Sequence, residues 1–141
     1  MKNVHRERMA HHRTRSKAFF EAMQLLSDDL FSYGDAVALL AVHSAISLAD
    51  AVLIATTGER SKDQDHSAAA KPLNRVCSMR KLDANGVKHL VWLLQNKSRF
   101  AYEDKPTIHN NIKYATVTAE RFRAWVYRTF PEVAHENDSS S

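Results

Sequence analysis

His43, Ser47 and Asp50 follow one another at four and three residues within 35–57, DAVALLAVHSAISLADAVLIATT, a run that is otherwise almost wholly small and apolar. On a helix this spacing puts an imidazole, a hydroxyl and a carboxylate on one face. Burying such groups without partners costs about 2–7 kcal/mol for a neutral one and more for a charge. The stripe therefore has two readings. It is either a hydrogen-bonded core network that fixes helix register, or the wall of a groove, between the second and fourth helices, that takes a ligand or RNA.

The elements that must position these groups follow from composition and periodicity. A chain of 141 residues with 44% hydrophobic content is read as one domain with enough material for a core. Three glycines and three prolines, scattered along the chain, leave little turn material and favour long helices. The single cysteine, Cys77, has no partner for an internal disulfide, and no basic stretch with an apolar signal core opens the chain. A cytoplasmic location is expected. Segment 35–57 alone is long and apolar enough to raise a membrane span, but His43 and Asp50 would be costly at a bilayer centre. It reads as a buried core helix, with no membrane as partner.

About five segments carry helical periodicity. In the first, 5–31, Ala18, Phe19, Ala22, Leu25, Leu26 and Phe31 recur at three and four before the pattern stops at Tyr33-Gly34. Asp35 is then the expected N-cap of a second helix that ends at Gly58, a C′ glycine. The polar loop GERSKDQD follows, and Asp65 would cap a third segment to about residue 80, with Pro72 kinking it or marking its first turn. The fourth helix, 86–103, sets Val87, Leu90, Val91, Leu94 and Ala101 on one face. In the fifth, 110–130, Ile112, Ala115, Ala119, Phe122, Val126 and Phe130 face inward, and Pro131 ends it. The expected fold is all-α, an up-and-down antiparallel bundle of four to five helices. Residues 1–17 would be a basic arm or a frayed helix start, 18–131 the bundle and 132–141 a polar tail.

The net charge of +4 is concentrated at the start, where Lys2, Arg6, Arg8, Arg13, Arg15 and Lys17 face only Glu7. Such an arm contacts phosphates through counterion release, or is simply a solvated helix start. Glycine-rich phosphate loops, paired-cysteine zinc spacings, HExxH and Gly-x-Ser-x-Gly are all absent. His5, His11 and His12 invite a metal reading, but their basic surroundings would repel a cation, so neither metal nor cofactor is expected.

The succession AVHSAISLADAVL, a glycine-ended turn, DQDHSAAAKPL and LVWLLQNKSRFAYED resembles the HEPN superfamily of small all-α domains, over residues 35–130. The resemblance implies a bundle of four or five helices, commonly a homodimer, and in many members a metal-independent ribonuclease of toxin–antitoxin and other defence systems. The family motif lies on the helix that corresponds to the fourth here: an Arg, often followed by Asn, then a His, sometimes with a Tyr after it. The arginine can hold phosphate while the histidine moves protons near neutral pH. In this chain Asn96 and Tyr102 fit that motif, but Gln95 stands for the arginine and Phe100 for the histidine. The family's acid–base mechanism does not carry over to these positions. Lys97 and Arg99 offer replacement charge, whereas nothing in the helix replaces the histidine. Arg60 to His66 and Arg6 to His11 also satisfy the bare Arg-then-His spacing, but they lie in the polar loop and the basic arm and are given no catalytic role.

Asp65 and His66 read either as a helix cap and a surface histidine or as groups reaching back to the Asp50 stripe. Asn96, Arg99, Tyr102 and Glu103 read as an exposed polar face or as a phosphate-contacting surface at a dimer interface. Trp92, Phe122, Trp125 and Tyr127 read as packing residues rather than base-stacking platforms. The function expected is binding of RNA or of a nucleotide-containing ligand without the standard nuclease motif, through His43, Ser47, Asp50, Asp65, His66, Asn96, Arg99 and Tyr102. One alternative is an active metal-independent ribonuclease with a shifted site, His43 or His66 acting as base and Arg99 holding phosphate. Another is a structural module that binds a partner protein.

Overall fold

The protein was analysed as a computed structural model that describes residues 3–60 and 69–134. Among the described residues every regular element is a helix: α1 (Asn3–Leu26), α2 (Leu30–Thr57), α3 (Ala70–Arg80), α4 (Val87–Tyr102), α5 (His109–Thr129) and the single turn α6 (Pro131–Ala134). The fold is all-α, a helical bundle. α2 lies at its centre and packs against all five other helices.

The apolar run of α2 dictates that position. Val37, Ala38, Ala41, Val42, Ala45, Leu48, Ala49, Val52, Leu53 and Ile54 are all buried, so the helix is hydrophobic around most of its circumference. The run is long and apolar enough to cross a membrane, and most of it is buried against the other helices, the packing of a core helix.

α1 and α2 form an antiparallel helical hairpin. Ser16 Oγ donates to the Ser44 carbonyl at 2.7 Å, Phe19 meets the His43 ring at 5.7 Å, and Arg8 donates to the Gly58 carbonyl at 3.0 Å. Met9, His12, Ser16 and Met23 are the buried face of α1. From residue 3, the basic segment 1–17 is thus the first half of a helix packed along α2. Leu25 and Phe31, expected inside, lie outside: Phe31 is 92% exposed.

The second helix begins earlier than Asp35. Asp29 is its N-cap, its Oδ1 accepting the Ser32 N–H at 3.1 Å, and the Ser32 side chain first, then this backbone bond, lower the Asp29 pKa. Gly34 does not break the helix because its role is spatial: a Cβ there would lie 2.7 Å from Ile112 Cδ1, so the missing side chain lets α5 approach. Asp35, freed from capping, accepts the Thr107 N–H and ties down the start of the α5 approach. At the other end Gly58 is the expected C′ residue, with φ of 84° and its N–H on the Ile54 carbonyl.

Pro72 sits in the first turn of α3, where a backbone N–H would find no intrahelical acceptor and its absence costs nothing. The Asp65 cap lies outside the described residues. On α4 the inward residues are Val87, Leu90, Leu93, Leu94 and Phe100; Ala101 is exposed, because the buried face turns toward Phe100 at the last turn. Phe100 packs there near Trp92, which in turn stacks edge-on with Tyr114 at 4.6 Å. All six residues expected inward on α5 and its end are buried. Pro131 ends α5 and also opens α6, whose Val133 is buried.

Gly86 leaves a second deliberate gap. A Cβ at Gly86 would fall 2.0 Å from the Trp125 ring, which cannot step aside because its Nε1 donates to the Asp83 carbonyl at 3.0 Å. Gly86→Ala is expected to lower the urea unfolding free energy by about 1–3 kcal/mol through overpacking. Phe31→Ser should stay within about 0.5 kcal/mol of the parent, since the ring it removes is solvated.

Candidate functional site

The stripe on α2 divides between two neighbourhoods. His43 is half-buried beside Phe19 of α1, and burial together with Lys97 of α4 lowers its pKa. Ser47 is buried one turn further on. Asp50 faces another set of groups. Burial pushes its carboxyl up to about 6, while Arg60 and Arg15 pull it back down.

Those two arginines belong to a basic cleft of about 350 Å3 lined by Arg8, His11, His12, Arg15 and Arg60. Arg8, His11 and Arg15 stand at i, i+3 and i+7 on α1, so they share one helical face, with His12 alongside and turned inward. Arg60 approaches from just beyond the C-terminus of α2, where the αL turn at Gly58 redirects the chain. Arg8 bridges the two walls: it lines this cleft and an adjoining one with His5 and Glu59, and its bond to the Gly58 carbonyl satisfies a terminal acceptor of α2. Arg15 Nη2 lies 2.8 Å from His11 Nε2. A guanidinium only donates, so that ring nitrogen accepts, and the pair orient each other.

His12 closes the cleft from inside. It is 8% exposed, and its Nδ1 is buried without a hydrogen-bond partner among the described residues. Burial first, then Arg15, Arg60, His11 and Arg8, lower its pKa from 6.5 to about 4. The ring is therefore neutral at pH 7 although it sits among three guanidiniums. Among the described residues Arg15 and Arg60 form no ion pair, and no three His, Cys, Asp or Glu side chains converge in a way that could hold a metal. What such a cleft can do is bind an anion: guanidiniums offer forked donors matched to phosphate or carboxylate oxygens.

The candidates on α4 do not join this cleft. The Asn96 amide donates to the Trp92 carbonyl within its own helix, Arg99 is exposed, and Tyr102 is 83% exposed. No hydrogen bond or ion pair among the described residues links them to His43, Ser47 or Asp50. Only Lys97 of that helix acts on the stripe, through His43. Asp65 and His66 lie outside the described residues. Sequence reasoning named Arg8 and Arg15 only within a basic arm, His12 only as a rejected metal ligand and Arg60 only for its spacing to His66, and did not bring the four together. Their signal was present in the one-face spacing of Arg8, His11 and Arg15, and in the heptad spacing of Met9, Ser16 and Met23, which marks the opposite face as buried.

The chain matches no protein-family model, and neither a curated protein nor a solved structure matches it.

Asp50 and His12 act oppositely on stability. The folded Asp50 pKa lies above its unfolded value, so its contribution declines as pH rises from about 4 through about 6. The folded His12 pKa lies below 6.5, so its contribution is lost as pH falls from there toward about 4. Asp50→Asn is therefore expected to be more stable than the parent at pH 7, with an advantage that shrinks toward pH 4. Urea titrations across that interval measure it, and a pH-independent difference would contradict the burial of this carboxyl.

Proposed function

We propose that this protein binds RNA or a nucleotide-containing ligand, and that phosphate is held in the cleft between α1 and α2. The observation that carries this reading is the convergence of Arg8, Arg15 and Arg60 around one concave site, with His12 buried behind them. Like charges brought together repel unless an anion compensates them, and phosphate is the anion to which forked guanidiniums are best matched. The sequence resemblance to HEPN domains is consistent with such a ligand. In this reading the bundle is HEPN-like, with an up-and-down antiparallel course that extends the α1–α2 hairpin, and acts as a cytoplasmic homodimer in a toxin–antitoxin or related setting.

A second reading, metal-independent cleavage of the bound RNA, is favoured by one observation. An imidazole, that of His12, lines the same cleft as three arginines, the pairing of proton-transfer group and phosphate-holding groups that a shifted nuclease site would use. His43 is less suited, since its neighbours are Phe19 and Lys97 rather than Arg99.

Retention of mixed RNA measured against salt concentration tests the binding reading. The parent should bind at low salt and weaken steeply as salt rises, and Arg15→Ala and Arg60→Ala should each weaken binding several-fold and reduce the salt slope by about 1. No retention at any salt would defeat it and favour a module that binds another protein. Incubation of the same RNA with the parent and with His12→Ala addresses cleavage: loss of products in the variant supports it, and intact RNA with both removes it.

A further inference from the structure

We propose that the α1–α2 cleft is a receptor for a terminal phosphate monoester, carried by an RNA end or by a mononucleotide, rather than a track for the internal phosphodiester backbone. The inference rests on the RNA- or nucleotide-binding reading above and narrows it.

The shape of the charge supports an end-on ligand. A protein that follows a nucleic-acid backbone spreads its cations along a groove, each near a separate singly charged phosphodiester. Here Arg8, Arg15 and Arg60 line one bounded cleft together with His12. A terminal phosphate carries up to two negative charges and three equivalent acceptor oxygens, which is the complement of several guanidiniums around one centre. An internal phosphodiester has one charge and only two free oxygens.

The floor of the cleft supports the same conclusion. His12 is more than nine-tenths buried and lines the cavity, and its Nδ1 lacks any partner among the described residues. A buried polar atom left without a partner costs about 1–3 kcal/mol, a cost the fold carries beside this cleft. Arg8 is held in place by the Gly58 carbonyl through one guanidinium nitrogen, which leaves further donors on the same side chain. The site also has a finite size, about 350 Å3, suited to one phosphate and the start of its sugar.

A second basic cleft gives a control. Lys88, His89, Arg121 and Arg128 line a cavity between α4 and α5. It has no buried side-chain nitrogen without a partner comparable to that of His12.

The test uses the full chain and four probes in a direct binding titration: one short single-stranded RNA with a 5′-phosphate, with a 3′-phosphate, or with hydroxyls at both ends, and a nucleoside 5′-monophosphate. One or both phosphate-ended oligomers should bind at least tenfold more tightly than the hydroxyl-ended one, and the monophosphate should compete with the preferred oligomer. Preference for one end, or for the monophosphate over both, identifies the source of the phosphate. Arg15→Ala and Arg60→Ala, both at exposed positions, should reduce binding of the phosphate-ended oligomer to the level of the hydroxyl-ended one, whereas Arg121→Ala should keep the preference. Equal binding of all three oligomers would overturn the end-on receptor while leaving RNA binding intact. Failure of every probe to bind would overturn both.

Discussion

The need to bury α2 governs the rest of the molecule. A helix of twenty-eight residues with so many apolar side chains has no large polar face to offer water, so every other helix packs against it. Its many alanines and serines let neighbours approach closely, and the hydroxyls among them satisfy themselves on nearby carbonyls: Ser44 on Ala41, Thr56 on Val52, Thr57 on Leu53. The Ser44 carbonyl accepts a further bond from Ser16, so the tightest polar link between α1 and α2 is made without burying a charge. That bond sets how α1 sits on α2, and so which of its residues face the C-terminal end of the central helix.

The basic cleft is a by-product of this register that carries its own electrostatic tension. Three guanidiniums line the cleft with His12, and burial first, then the arginines, keeps that imidazole neutral, whereas burial raises the Asp50 carboxyl against the pull of Arg60 and Arg15. The His12 shift removes one positive charge from the cleft at pH 7, while Asp50, at about 6, is mostly ionised there. Among the described residues the lining of the cleft carries three arginines and no carboxylate, which is a poor arrangement for stability and a good one for capturing an anion.

Helix type and the inward faces of α2 and α5 were legible in the sequence because they rest on period and burial alone. Positions 112, 115, 119, 122, 126 and 130 are a plain three-and-four pattern, and all are buried. What misled was local chemistry with a tertiary purpose. Gly34 looks like a helix stop, yet it is a contact glycine against Ile112, and the real boundary is the less conspicuous Asp29. The site was half legible. Asp50 of the polar stripe acts electrostatically on two of the cleft's arginines without lining it, and the partners expected on α4 do not reach it, because which neighbour a stripe faces depends on packing that periodicity does not encode. Arg8, His12 and Arg15 were hidden by their composition: a basic, histidine-rich opening reads as a solvated arm until Met9, Ser16 and Met23 are seen as its buried side.

The bond from Arg8 to the Gly58 carbonyl lies at the open end of the α1–α2 hairpin, the end farthest from the short link at Asp29. Contacts in such a hairpin are nested, so closure proceeds outward from the link, through Ser16 and Ser44, and reaches Arg8 and Gly58 last. The same end is the first to part when the hairpin breathes. An anion that engages Arg8, Arg15 and Arg60 together joins the tip of one helix to the exit of the other, as a clasp does. Its binding free energy is then added to the weakest joint of the hairpin, and occupancy of the cleft becomes a control on how often α1 lifts from the core.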